Sequence, residues 1–244
     1  MMIRLAKLFD KTFEKILTIL FLLMLFFGGY AVYDTIYIYY NASNVGILAY
    51  KPTDDPSTLV DINEDCIGWI TIDDTNIDYP LMQGIDNAEY LNKGPDGSYS
   101  LSGSIFLDSR NNSDFSDSFS LIYGHHMQGN VMFGCLDEYV DEEYFQNHKD
   151  GNITLQNGDQ AVLKAFAVAD MDANVECVFQ IGEKTDVLAF LAKNAMYLEY
   201  CGDGHILALS TCQSPSSLRR TVVFYEITDV IKGESSPQEE SEND

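Results

Sequence analysis

The chain is short of positive charge: 14 Lys and Arg stand against 38 Asp and Glu, a formal net charge of −24. Such a surface repels polyanions, so no nucleic-acid or anionic-lipid partner is expected for the part that carries it. Cysteine is sparse too. The five, Cys66, Cys135, Cys177, Cys201 and Cys212, form no CxxC pair and no metal-like spacing with the four histidines. That argues against a zinc site and against a disulfide scaffold, and an odd count leaves at least one thiol unpaired. There is no Walker loop, no GxGxxG, no GxSxG and no internal repeat, so neither a nucleotide cofactor nor an elbow-type serine hydrolase is indicated. No metal and no cofactor is expected.

Charge is missing altogether from residues 16–33, which are 18 residues rich in Leu, Phe and Ile. As a helix they would be about 27 Å long, close to a bilayer core. Arg4, Lys7, Lys11 and Lys15 precede them against Asp10 and Glu14, and Asp34 is the first charge after them. The positive-inside rule then puts 1–15 in the cytoplasm and everything after about residue 34 outside. A cleaved signal peptide is the competing reading, with Gly29-Tyr30-Ala31 as a small-x-small site, but the apolar core is longer than a usual signal core. The expectation is an uncleaved single-pass anchor in the cell membrane, with an outer part of 10 basic against 35 acidic residues. The expected organisation is a cytoplasmic 1–15, a transmembrane 16–33, an extracytoplasmic helical linker 34–59, a catalytic domain 60–230, and a disordered acidic tail 233–244 made mostly of Ser, Glu, Pro and Asn.

Between linker and tail the chain reads as mainly β. A short helix starts at Pro56, residues 67–72 alternate as a strand, 73–76 turn, and 77–80 resume extended structure, a hairpin-like start. Short strands follow at 103–107 and 119–123, separated by a polar loop. Short helices are read at 132–139 and 142–148, strands at 153–155 and 160–169, and an irregular stretch around Cys177. An amphipathic helix is expected over 184–198, with Val187, Phe190, Leu191 and Leu198 on its apolar side. Strands at 206–211 and 221–227 close the domain.

The sharpest chemical feature is Cys212. It ends the apolar run before Gln213-Ser214-Pro215, so its thiol sits at a rim, whereas the other four cysteines have no such setting and read as structural. By alternation Ile206, Ala208, Ser210 and Cys212 share one strand face and Leu207, Leu209 and Thr211 the other. Arg220 opens the next apolar run eight residues later and shares a face with Val222 and Phe224, where a fixed guanidinium can hold an oxyanion. A cysteine nucleophile needs a base, usually His. His205 lies a strand's length away and His148 ends a polar helix as a solvent-exposed residue, which leaves His125 and His126 in Tyr123-Gly124-His125-His126-Met127. The residues alone leave these two as equals.

Leu209-Ser210-Thr211-Cys212, Arg220 before a Val-rich strand, and Tyr123-Gly124-His125-His126-Met127 together resemble the sortase family, specifically class B. Supporting matches are the run from Gly103-Ser104-Ile105-Phe106-Leu107 through Asp108-Ser109-Arg110-Asn111, Gly68-Trp69-Ile70, Ile77-Asp78-Tyr79-Pro80 and Gln83-Gly84, so the resemblance spans roughly 60–228. It implies an eight-stranded β-barrel with N-terminal helices and a long helix before the Cys strand. It also implies a cysteine transpeptidase of a Gram-positive cell wall, hydrolase and acyltransferase in one. Its protein substrates would be secreted proteins with a C-terminal sorting motif, and its acceptor a peptidoglycan precursor or a pilin amine.

By the same resemblance Cys212 is the nucleophile, His125 the proton carrier and Arg220 the holder of the oxyanion, with the Gln213 backbone N–H assisting. Asn87, Leu91, Tyr123 and Ser210 would line the substrate groove. Two other classes compete. A papain-like cell-wall peptidase would use the same Cys and His, though there the Cys normally starts a helix near the domain's N-terminus. A non-catalytic surface binding module would keep Cys212 for structure only.

Overall fold

The computed structural model describes residues 2–43, 48–52, 56–211 and 219–233. It forms two compact units, Met1–Tyr40 and Asn41–Asp244. Helix α1 (Met2–Ala42) makes up the first. Its apolar stretch, Asp10–Tyr40, has a mean hydropathy of 2.2, none of it buried, and is long and apolar enough to cross a membrane. The helix runs well past residues 16–33 on both sides because no proline interrupts it before Pro52. Thr18 and Thr35 donate to carbonyls one turn back, Glu14 and Ala31, at 2.8 and 2.9 Å, so neither hydroxyl is left unsatisfied along the helix. The expected tail lies beyond Gly233 and outside the described residues.

Among the described residues the second unit has nine strands: β1 (Cys66–Ile72), β2 (Asp78–Met82), β3 (Ile105–Leu107), β4 (Phe119–Gly124), β5 (Asp150–Leu155), β6 (Gln160–Asp172), β7 (Tyr197–Leu198), β8 (His205–Thr211) and β9 (Arg219–Ile231). Helices α2 (Glu142–Asn147), α3 (Glu176–Phe179) and α4 (Lys184–Asn194) lie on the connections, with 3-10 turns that include Pro56–Asp61 and Phe133–Val140. The hairpin read at the start is β1–β2: Thr71 faces Asp78 across it, and Ile72 N–H donates to the Ile77 carbonyl at 2.9 Å to close the turn.

The strand order is β5-β1-β2-β3-β4-β8-β9-β6, and β5 also pairs with β6. That last pairing closes an eight-stranded barrel, the architecture the resemblance implied, and leaves only the far half of one β6 edge unpaired by a barrel strand. Two neighbours are parallel, β2 with β3 and β4 with β8. A parallel pair needs a long crossover, and between β4 and β8 the chain inserts β5 to β7 and α2 to α4 before it returns.

Period-two alternation gives the barrel two apolar faces. One cluster draws on all eight barrel strands, including Ile70, Leu81, Ile105, Ile122, Ile153, Leu163, Leu209 and Val223, and fills the interior. The other packs Trp69, Phe106, Tyr123, Phe166, Ala208, Val222 and Phe224 beneath Val178 and Phe179 of α3 and Val187 and Leu191 of α4. The faces read for Ile206 and Ala208 against Leu207 and Leu209 are therefore the outer and inner ones.

Several expected boundaries shift. The helix read over 184–198 stops at Asn194, and Met196 and Glu199 N–H donate to the Val168 and Phe166 carbonyls at 2.8 and 2.7 Å. β9 takes one edge of β6 over its whole length and β5 takes only Gln160–Lys164 on the other. The remaining free edge captures Tyr197 and Leu198 as β7, and Leu198 is exposed rather than part of the helix's apolar side. The stretch read as irregular around Cys177 is the end of β6 followed by the helical turn α3. His148 is half-buried, not free in solvent, because its ring stacks on Tyr144 with centroids 3.8 Å apart.

Candidate active site

At one end of the barrel β4, β8 and β9 lie side by side. Tyr123 of β4 pairs with Ser210 of β8, which pairs with Val222 of β9, and the next rung joins Gly124 to Thr211. The chain leaves β4 at His125 and β8 after Thr211, and Arg220 is the second residue of β9. Cys212 and Gln213 fall outside the described residues.

Gly124 is required by packing, because a Cβ there would overlap Ile105 Cδ1 and the Phe133 ring. This close approach fixes where His125 emerges. His125 is half-buried, and its Nε2 lies 2.7 Å from the Leu91 carbonyl. A carbonyl only accepts, so Nε2 carries the proton and Nδ1 is the nitrogen left to accept one. The ring is thus oriented by a backbone group and not by a carboxylate. His126 turns away: it is exposed, and its Nε2 donates to Asp137 Oδ2 at 2.7 Å. Geometry separates two histidines that the residues alone left equal.

The two arginines separate as clearly. Arg219 is exposed, with Nε donating to Asp170 Oδ2 at 2.8 Å and Nη2 to the Asp170 carbonyl at 2.9 Å. Arg220 is half-buried with its guanidinium carbon 4.8 Å from the centroid of the Phe179 ring. Its Nε is buried and has no hydrogen-bond partner among the described residues. A guanidinium seated on an aromatic face keeps its charge and its fork of donors, which suits it to hold a carbonyl oxygen.

Of the residues expected along a groove, Ser210 is fully buried, its hydroxyl donating to the Thr211 carbonyl at 3.2 Å. Leu91 is half-buried and contributes the carbonyl that holds His125. Asn87 and Tyr123 converge on Asp108, just past the end of β3, a residue that the sequence offered within a family-like run but with no role assigned to it. This carboxylate is wholly buried. It accepts from Asn87 Nδ2 at 2.7 Å, from the Tyr123 hydroxyl at 3.1 Å, and from Arg110 Nε and Nη2 at 2.8 and 2.6 Å. Burial pushes its pKa up, but the bonds from Arg110 and Asn87 and the Arg110 charge outweigh that and hold it below the usual carboxylate range. The same burial, with the Asp108 charge beside it, pushes the Tyr123 phenol well above its ordinary value. An acid and a base two residues apart directly after an apolar strand was the available signal for Asp108 and Arg110; nothing in the sequence marked Phe179.

The other cysteines are poor nucleophiles. Burial pushes the thiols of Cys66 and Cys135 up to about 12 and raises those of Cys177 and Cys201 as well. None of these four is in a disulfide.

Comparison with known proteins agrees with this fold. The family model described as the sortase domain matches residues 70–228. Sortase B of Listeria monocytogenes is 32% identical over 169 residues, covering 66% of this chain and 68% of the relative. Sortase B of Staphylococcus aureus is 30% identical over 183 residues, 71% of this chain and 74% of the relative. Among solved structures, a class B sortase of Streptococcus pyogenes involved in pilus biogenesis is 36% identical, with a TM-score of 0.62 over 68% of this chain and 94% of its own. Sortase B of B. anthracis superposes with a TM-score of 0.64 at 27% identity, over 82% of this chain and 98% of its own. With a closed eight-stranded barrel, a sortase domain over most of that barrel and class B sortases as its relatives, the chain belongs to the sortase family, as a transpeptidase of class B.

Proposed function

We propose that the protein is a membrane-anchored cysteine transpeptidase that cuts a C-terminal sorting signal of secreted proteins and joins the new carboxyl end to an amine of the cell surface. The observation that carries this reading is the adjacency of β4, β8 and β9. His125 follows the last residue of β4, Cys212 the last of β8, and Arg220 lies two residues before Val222, the partner of Ser210. Thr211, the residue before Cys212 in the chain, thus lies at the end of the barrel where His125 and Arg220 lie.

In this reading the Cys212 thiol passes its proton to His125 Nδ1, and the resulting thiolate attacks the scissile carbonyl carbon, whose oxygen becomes an oxyanion. Arg220 donates to that oxygen through its guanidinium, with the Gln213 N–H beside it. As the oxyanion collapses the C–N bond breaks, and His125 gives the Nδ1 proton to the leaving amine, which leaves a thioester on Cys212. An incoming amine then attacks the thioester, passes its proton to His125, and expels the thiolate as the new amide forms. The Leu91 carbonyl keeps the imidazole aimed throughout, because it occupies the nitrogen that takes no part.

The acceptor is an amine of a peptidoglycan precursor or of a pilin lysine, and both fit this chemistry. The groove would run past Ser210 and Leu91, with Tyr123 and Asn87 supporting it through Asp108. Helix α1 serves as the anchor, its basic N-terminal end in the cytoplasm and the barrel outside; a cleaved signal sequence is the other reading of the same helix. The closed barrel, with its cysteine late in the chain, gives no support to a papain-like peptidase. The test is turnover of sorting-signal peptides with an amine acceptor: Cys212→Ala should abolish both cleavage and amide formation, and retained turnover would remove the basis for a thiol mechanism and favour a binding module.

A further inference from the structure

Arg110 stands outside the proposed reaction but is joined to it by a continuous set of contacts. One edge of its guanidinium makes the two bonds to Asp108. The other reaches across the chain to the end of α3, with Nη2 donating to the Phe179 carbonyl at 2.9 Å and Nη1 to Gln180 Oε1 at 3.0 Å. The partner carboxylate is pinned in turn by Asn87 and Tyr123, and Asn87 Oδ1 accepts from the Ser109 N–H at 2.8 Å. Arg110 therefore holds the α3 end to a fixed point in the barrel wall. The next residue, Ile181, has φ of 53°, a left-handed conformation that a β-branched side chain adopts only where its surroundings impose it. The segment so held carries the Phe179 ring, and the Arg220 guanidinium lies on that ring. Arg220 Nε has no hydrogen-bond partner among the described residues to hold it otherwise.

We infer that Arg110 is a positioning residue for transpeptidation: by clamping Phe179 and Gln180 to Asp108 it seats the Phe179 ring under Arg220 and so aims the group that receives the oxyanion. This rests on the reading of Arg220 as that group. Lysine at 110 would keep a charge for Asp108 but lose the planar fork that spans both partners. The clamp thus separates from simple charge compensation.

The experiment compares steady-state kinetics of sorting-signal peptide cleavage for wild type, Arg110→Lys, Phe179→Leu, the double variant and Arg220→Ala, all as full-length protein, with thermal unfolding recorded for each. Arg110→Lys should unfold near the wild-type temperature yet lose about tenfold in kcat with little change in KM, since an aimed oxyanion donor acts on the transition state. Phe179→Leu should lose about as much, and the double variant no more than either single one, because both act through one ring. Wild-type kcat in Arg110→Lys, or losses that multiply in the double variant, would overturn the inference while the loss in Arg220→Ala keeps the Arg220 reading intact. Full activity of Arg220→Ala would overturn both.

Discussion

Replacing Asp108 by Asn tests the buried network most directly, because it keeps the shape and removes the charge. In the wild type this carboxylate accepts two bonds from the Arg110 guanidinium, one from the Arg110 backbone N–H and one each from Asn87 and Tyr123, with no exposure to solvent. Removing one partner of a buried ion pair costs about 3–5 kcal/mol when the other charge is stranded. The Arg110 side chain is 42% exposed, so water can take over part of its solvation, and a loss of about 2–3 kcal/mol is the better figure. At about 2–4 °C per kcal/mol for a domain of this size, Tm at neutral pH should fall by roughly 4–12 °C. The pH dependence has a definite sign. A carboxyl held below its unfolded value contributes stability that is fully present above about pH 4 and lost as pH falls through the folded pKa. The gap between wild type and Asp108→Asn should therefore be widest near neutrality and close on acidification. Circular dichroism melts over a pH series measure it, and a gap under 1 °C at neutral pH, or one that widens in acid, would refute the account of Asp108 as a charge-compensated anchor.

Other consequences are as direct. Iodoacetamide applied to folded protein at about pH 8 should modify Cys212 while sparing Cys66 and Cys135, whose thiols burial pushes up to about 12; peptide mapping shows the pattern, and labelling of all three alike would count against it. His125→Ala should lower kcat/KM by at least about 10²-fold, whereas His126→Ala, which removes an exposed pair with Asp137, should stay near wild type; equal losses would return the two histidines to parity. Gly124→Ala must displace Ile105 or Phe133, so it should cost about 1–3 kcal/mol and lower turnover through a misplaced His125; unchanged melting and turnover would contradict the packing described.

Much of the barrel was legible because alternation is a local property. The faces of Ile206 and Ala208 against Leu207 and Leu209 follow from period two alone, and the β1–β2 hairpin from two apolar runs around Asp73-Asp74-Thr75-Asn76. Pairing across the chain was not legible in the same way. The end of the 184–198 helix was misread because Tyr197 and Leu198 answer to the free edge of β6, some thirty residues earlier, and not to their own propensities. Arg220 was readable from its register with Val222 and Phe224, yet the Phe179 ring beneath it was not, since α3 is a single helical turn with no periodicity to reveal a face.

The histidine shows the same division at the level of chemistry. A search for a third catalytic member looks for an acidic side chain, and after residue 34 carboxylates are the commonest charge, so a carboxylate partner for His125 could have been chosen almost anywhere. The partner is instead the carbonyl of Leu91, which every residue carries and no sequence pattern marks. A neutral carbonyl fixes the tautomer as well as a carboxylate does but does not stabilise the imidazolium by full charge. Among the described residues the buried carboxylate bonded to Tyr123, Asp108, is already neutralised by Arg110 and held by Asn87 as well. The site thus keeps its negative charge in the wall, while in the proposed reaction Arg220 carries the positive charge that meets the oxyanion. That distribution favours an oxyanion over an imidazolium, and it places the demand for precise aim on Arg220 and on whatever holds the Phe179 ring beneath it.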